Sequence, residues 1–141
     1  VELWKISSSC IEELTLNANK KNIQLSLDGD PSADIKGNSK LIFEMVYNLV
    51  DNAIRYTEPG GRVNILVEPR VITVKDTGIG IPEESLPRVF ERFYRVDKSR
   101  SKETGGTGLG LAIVKHVAEV HHTKIEMKSI VGVGTEIKVE F

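Results

Sequence analysis

EMVYNLVDNAIRY, running from Glu44 to Tyr56, is the stretch on which the reading of this chain turns. At helical spacing Glu44, Asn48, Asn52 and Arg55 share an arc of about 80°, while Ile42, Met45, Val46, Leu49, Val50 and Ala53 fill the opposite side. One side is core and the other a polar stripe. A solvated stripe favours Glu and Lys, whereas asparagine is a poor helix former that costs several tenths of a kcal/mol, roughly, against alanine. Two stacked asparagines therefore suggest ligation. An amide oxygen is a hard, neutral ligand suited to Mg²⁺ beside phosphates, Arg55 supplies a permanent positive fork, and Glu44 is placed to orient or deprotonate a neighbouring group.

Working outward, this helix is capped at Asn38 or Ser39 and stopped by Thr57-Glu58-Pro59-Gly60-Gly61. Before it, Ile11, Leu14 and Ala18 predict a helix over Ser7 to Lys20. Ile23, Leu25 and Leu27 alternate as a strand that ends at Asp28-Gly29-Asp30-Pro31, and a brief strand is expected near Ala33 to Lys36. After it, Arg62 to Glu68 and Val71 to Lys75 read as an antiparallel hairpin around Pro69 and Arg70. A short helix is expected near Glu84 to Phe93, then a helix over Leu109 to His121. Lys124 to Ser129 and Thr135 to Phe141 close the chain as a hairpin around Val131-Gly132-Val133-Gly134. Helices and strands interleave, so the sheet should be mixed, with helices over one face.

Three further motifs carry chemistry. Asp76-Thr77-Gly78-Ile79-Gly80-Ile81 stands where a strand ends, which is where sites usually sit. An Asp there can accept from an exocyclic amine such as adenine's, and the glycines let backbone pass close to a flat ring. Taken alone, the same spacing more often makes a turn. Gly105-Gly106-Thr107-Gly108-Leu109-Gly110-Leu111 runs directly into a helix, whose free N–H groups and positive dipole end suit phosphate. It is neither a Walker loop nor a dinucleotide fingerprint, because no Gly-Lys-Ser/Thr follows and no strand stands immediately before it, and by itself the run reads equally as a flexible hinge. Phe90-Glu91-Arg92-Phe93-Tyr94-Arg95 lies between the two glycine elements. Its aromatics suit a satellite core cluster and an anchor for a lid from Tyr94 to Gly106, in which Arg95, Lys98, Arg100 and Lys102 can approach phosphates.

The whole chain bounds these readings. Its 141 residues fit one domain spanning 1–141, and 19 Lys and Arg against 20 Asp and Glu leave no bulk charge to hold nucleic acid or a membrane surface. A single cysteine, Cys10, excludes an internal disulfide and favours a reducing, intracellular setting. No apolar stretch approaches the roughly 18 to 20 residues of a spanning helix, so a soluble unit is expected.

Together the four motifs resemble the catalytic and ATP-binding domain of sensor histidine kinases, within the superfamily shared with gyrase, the Hsp90 chaperones and mismatch-repair ATPases. EMVYNLVDNAIRY is similar to that family's N box, DTGIGI to its G1 box, FERFYR to its F box and GGTGLGL to its G2 box, in the family's order over nearly the whole chain. The resemblance implies an α+β fold, a two-layer α/β sandwich whose mixed, mostly antiparallel sheet is covered on one face by helices, with ATP between the N-box helix and the lid. It implies that Asn48 ligates Mg²⁺, that Asn52 lies close to the phosphates and the metal, and that Arg55 and Tyr56 contact the nucleotide. Asp76 would bind the adenine amine, with Gly78, Gly80 and Ile81 along the ring. Gly106, Thr107, Gly108, Leu109 and Gly110 would form the hinge and phosphate-facing turn. Glu44, Asn48 and Arg95 are the catalytic candidates, Arg95 as a γ-phosphate contact. One departure stands out: His121-His122-Thr123 replaces the family's usual His-Gly-Gly.

The resemblance also implies a partner. In the family the phosphate acceptor is a histidine on a separate, dimerising helical hairpin, and a response regulator acts downstream. His116, His121 and His122 sit beyond the glycine loop and are expected to be structural. The chain is then expected to be a cytoplasmic, monomeric fragment of a membrane-anchored sensor, without the phosphoacceptor and sensor domains. Two other functions fit parts of this pattern: a serine/threonine kinase of the anti-sigma-factor type, against which the F box and Arg95 argue, and a nucleotide-binding interaction module without turnover.

Overall fold

Strands form where apolar residues alternate and helices where they recur every three or four positions, which sorts the apolar side chains onto one interface between two layers. The structure, a computed structural model, describes residues 1–92, 94 and 110–141. Its elements are helix α1 (Leu3–Lys20), strand β1 (Gln24–Gly29), helix α2 (Ser39–Arg55), strands β2 (Arg62–Glu68) and β3 (Val71–Asp76), a 3-10 helix (Glu83–Arg88), helix α3 (Gly110–Val120) and strands β4 (Lys124–Ile130) and β5 (Gly134–Glu140).

The strands form one sheet in the order β1-β2-β3-β5-β4. β1 pairs parallel to β2, as the intervening helix α2 requires, and the other three pairings are antiparallel. Register decides which face is covered. Val63, Ile65 and Val67 of β2, Ile72 and Val74 of β3, and Ile137 and Val139 of β5 all point to the helical layer and are buried. Asn64, Lys75, Glu136 and Lys128 line up across the opposite face, where charges of both signs stand side by side.

In the helical layer α2 packs between α1 and α3. Ile42, Met45, Val46, Leu49, Val50, Ala53 and Ile54 bury its apolar side, and each of these except the small Ala53 contributes roughly 1.5–3 kcal/mol by leaving water. Both ends of α2 are satisfied. The Asn38 side chain accepts from the Leu41 N–H at 3.0 Å, and the Lys21 ammonium donates to the Ile54 and Arg55 carbonyls at 2.9 and 3.0 Å, a cation at the negative end of the dipole. Cys10 is fully buried on α1, and burial pushes its thiol up to about 12, so it is core.

The mixed sheet, the one-sided helical cover and the β2–β3 hairpin follow the sequence expectation. Local boundaries differ. α1 begins at Leu3 rather than Ser7, because Leu3 is wholly buried and draws the first turn into the core. The strand expected near Ala33 to Lys36 reduces to one bridge, Glu2 with Asp34. Pro82 and Pro87 leave room only for the 3-10 helix where a helix over Glu84 to Phe93 was expected. Among the described residues no helix is long and apolar enough to cross a membrane.

Candidate functional site

Asp76 is the last residue of β3, and its carboxylate is held by main chain on two sides. Oδ1 accepts from the Gly78 N–H at 2.8 Å and from the Thr135 N–H of β5 at 3.2 Å. Oδ2 has no hydrogen-bond partner among the described residues. Burial pushes the Asp76 carboxyl above its ordinary value of 3.8, against the pull of the two N–H groups, which favour the carboxylate. The geometry is that of a fixed acceptor: one oxygen oriented, the other available to a donor.

The loop after Asp76 joins the end of α2 to the sheet. Ile79 N–H donates to the Tyr56 carbonyl at 3.0 Å, and Thr77 exchanges hydrogen bonds with Arg62, its N–H donating to Arg62 O at 3.1 Å and its Oγ1 accepting from Arg62 N–H at 2.9 Å. Gly78 is buried where a Cβ would overlap the Tyr56 carbonyl oxygen and stand 2.8 Å from Asp76 Oδ1. Gly80 has φ +76°, and a Cβ there would overlap the Ile130 carbonyl. The two glycines thus have a physical reason within the loop itself: close approach at Gly78, and both close approach and a left-handed backbone at Gly80.

On α2 the polar stripe resolves into distinct roles. Asn48 Nδ2 donates to the Glu44 carbonyl one turn back at 2.7 Å, which fixes the amide and leaves Oδ1 without a partner among the described residues. That oxygen faces the start of α3, since a Cβ on Gly110 would stand 3.4 Å from it. Asn52 is half-buried on the same side, and its carbonyl accepts from Tyr56 N–H at 3.2 Å. Arg55 is engaged: its Nε donates to Asp51 Oδ2 at 2.9 Å. The guanidinium is held by this helical ion pair one turn back. Glu44 is exposed and meets Asn48 through its carbonyl.

The structure therefore brings three of the four motifs together: the α2 stripe, the Asp76 loop and the glycine that opens α3. Phe90 packs on the core edge, while Tyr94 donates to the buried Ser85 hydroxyl at 2.9 Å and lies under the Arg88 guanidinium. Phe93, Arg95, Lys98, Arg100, Lys102, Gly106, Thr107, Gly108 and Leu109 lie outside the described residues. The three histidines separate. His121 Nδ1–H donates to Val117 O at 2.9 Å and its Nε2 accepts from Asn38 N–H at 3.0 Å, so the ring joins the end of α3 to the cap of α2 as one neutral tautomer. His116 and His122 are exposed.

Sequence reasoning missed Thr57, Ser129 and Thr135. Thr57 Oγ1 donates to Ala53 O at 2.7 Å beneath Gly78. Ser129 and Thr135 flank the last hairpin turn, whose residues read only as a turn. The pairing of Thr135 with Asp76 across β5 and β3 is a long-range fact that no local pattern carries.

Comparison with known proteins identifies the family and the fold. The family model described as "Histidine kinase-, DNA gyrase B-, and HSP90-like ATPase" matches residues 37–141. The phosphate regulon sensor protein PhoR of Pseudomonas aeruginosa is 43% identical over 125 residues, covering 86% of this chain and 28% of that protein. The sensor-like histidine kinase SenX3 of Mycolicibacterium smegmatis is 42% identical over 139 residues, covering 96% of this chain and 36% of that protein. The chain thus spans about a third of the length of these relatives. Among solved structures, a mycobacterial sensor histidine kinase MprB superposes with TM-score 0.85 at 30% identity, covering 99% of this chain and 94% of that one. The catalytic domain of histidine kinase ThkA has the same fold at TM-score 0.86 and 24% identity, covering 100% of this chain and 92% of that one. The chain belongs to the histidine kinase-, DNA gyrase B- and HSP90-like ATPase family and, within it, is an ATP-binding catalytic domain of the sensor-histidine-kinase type.

Proposed function

We propose that the chain binds ATP with Mg²⁺ between the polar stripe of α2 and the Asp76 loop and donates the γ-phosphate to a histidine on a separate dimerisation domain of its parent protein. A response regulator would take the phosphate onward, in a membrane-anchored sensor whose kinase domain faces the cytoplasm. The observation that carries the reading is Asp76: an acceptor oriented by Gly78 and Thr135, with Oδ2 turned to no protein group among the described residues. An exocyclic amine of adenine supplies the matching donor, and a guanine carbonyl at that place does not.

The metal fits the same side of the site. Among the described residues no cluster of His, Cys, Asp and Glu could hold a metal alone, and Asn48 offers one fixed amide oxygen. Mg²⁺ is commonly held by one or two protein oxygens together with phosphates and water, so this sparse set suits it. When bound it would neutralise charge on the β- and γ-phosphates. The chain's own work is then positioning: Asp76 orients the base, Asn48 fixes the ligand oxygen, Asn52 and Tyr56 line the approach, and Gly78, Gly80 and Ile81 follow the ring. Gly106, Thr107, Gly108, Leu109 and Gly110 would turn around the phosphates, with Arg95 on the γ-phosphate and Glu44 close to the attacking imidazole.

The test supplies the missing acceptor. Incubated with radiolabelled ATP, Mg²⁺ and a helical-hairpin dimerisation domain bearing one histidine, the chain should build acid-labile, base-stable phosphate on that domain. It should leave itself unlabelled. His121 has both ring nitrogens bonded, and label on it, or on the exposed His116 or His122, would contradict the reading. Stable phosphoserine on an added anti-sigma-antagonist protein, with none on the histidine, would favour the serine/threonine kinase instead.

A further inference from the structure

The loop that follows Asp76 rests on the β4–β5 turn, whose apolar side chains are largely exposed. Ile130, Val131 and Val133 are 64%, 62% and 63% exposed, so the apolar groups of that turn point into water rather than under the loop. Two hydrogen bonds hold the contact. Gly132 N–H donates to Ile79 O at 2.9 Å, and Ile81 N–H donates to Ser129 Oγ at 2.7 Å.

Ser129 does more than receive one N–H. Its hydroxyl donates to Gly134 O at 3.2 Å and stands 2.8 Å from Thr135 Oγ1. A serine hydroxyl has one proton and two lone pairs, so donation to Gly134 and acceptance from Ile81 and Thr135 fill its capacity. Thr135 is the residue whose N–H orients Asp76 Oδ1. The hydroxyl thus joins the far end of the loop to the strand residue that aims the carboxylate. No other side chain among the described residues bonds the Ile81 N–H.

We propose that Ser129 is a positioning residue of the nucleotide site, holding the Gly80–Ile81 turn against β5 so that Asp76 and the loop backbone face the base at fixed spacing. The inference rests on the reading that Asp76 binds the base. Ser129 itself touches no nucleotide in this account; it acts through Ile81 and Thr135. Its loss should therefore weaken binding through the base and spare the phosphate interactions.

The test compares ATP, ADP and AMP binding by calorimetry at low temperature for the wild type, Ser129→Ala, Ser129→Thr and Asp76→Ala, with amide exchange at Ile81 followed by NMR in the nucleotide-free domain. Ser129→Ala should lose affinity for all three nucleotides by one common factor of about five to ten, on the order expected for one hydrogen bond left unmade. Ser129→Thr, which keeps the hydroxyl, should stay within about twofold of the wild type on the same reasoning. Ile81 should exchange faster in Ser129→Ala, a local opening that a general loss of stability would not confine to this loop. Should the alanine variant fail to fold, Ser129→Cys carries the test, with a smaller loss of the same equal pattern. Wild-type affinity in Ser129→Ala, loss for ATP with AMP spared, or unchanged exchange at Ile81 would overturn the proposal while an Asp76→Ala loss left the base reading intact. If Asp76→Ala also bound ATP at full strength, the base reading and this proposal would fall together.

Discussion

Asp76 shows how one residue can serve a ligand at the expense of the nucleotide-free fold. Its carboxyl sits above the ordinary value of 3.8 because burial outweighs the two N–H groups that favour the charge. A carboxyl raised in this way contributes stability that is full below its ordinary value and lost as pH rises through the raised one. At neutral pH the ionised group is a cost. Asp76→Asn keeps an Oδ1 for Gly78 and Thr135 and removes the charge, so the nucleotide-free variant should melt at or above the wild-type temperature at pH 7. That advantage should shrink as pH falls toward 3.8. ATP binding should meanwhile drop more than about tenfold, because the amide places a donor where an acceptor is required and leaves polar groups unpaired. Melting curves across pH, with one titration at pH 7, check both halves; a clear fall in melting temperature at pH 7 would contradict the assignment of burial as the dominant cause. The residue was legible in the sequence as a candidate acceptor at a strand end. Its orientation by Thr135 was not, since the two lie 59 positions apart and meet only through sheet register.

Helix α2 carries most of what the sequence made legible. Its apolar side is buried as the spacing required, and Asn48 and Asn52 fall on the other side. Two details escaped for a physical reason. The pattern marks Arg55 as a permanent cation without weighing its partner one turn back, Asp51, which holds it at 2.9 Å. The last carbonyls of α2 are met by a lysine from the α1–β1 connection, Lys21, which no local signal near Tyr56 announces. The N-terminal cap is local and was legible. Asn38 accepts from Leu41 N–H and, through its own N–H, donates to His121. Asn38→Ala removes the side-chain bond and leaves the main-chain one, so it should destabilise the domain by about 1 kcal/mol, within the range seen for N-caps. Denaturant unfolding measures this. ATP affinity at low temperature should hold, since Asn38 lies almost three turns from Asn48; a tenfold loss of binding would mean that the cap governs the site.

At the scale of the molecule, the glycine and asparagine motifs are scattered along the chain and the sheet gathers them. β3 ends at Asp76 beside β5, α2 ends at Arg55 with Tyr56 just beyond it over the same loop, and α3 starts at Gly110 beside Asn48. The mixed sheet and its single helical layer were legible because helices and strands interleave with clear periods. The short segments between Ala33 and Lys36 and between Glu84 and Phe93 were not, because prolines and a single bridge decide them rather than apolar spacing. An adenine-selective, Mg²⁺-assisted nucleotide site should be visible in titration calorimetry of ATP and GTP into the chain, with and without Mg²⁺ and beside Asp76→Ala. ATP should bind in preference to GTP, more tightly with Mg²⁺, and not at all to Asp76→Ala; equal binding of ATP and GTP, or full ATP binding by Asp76→Ala, would rule such a site out.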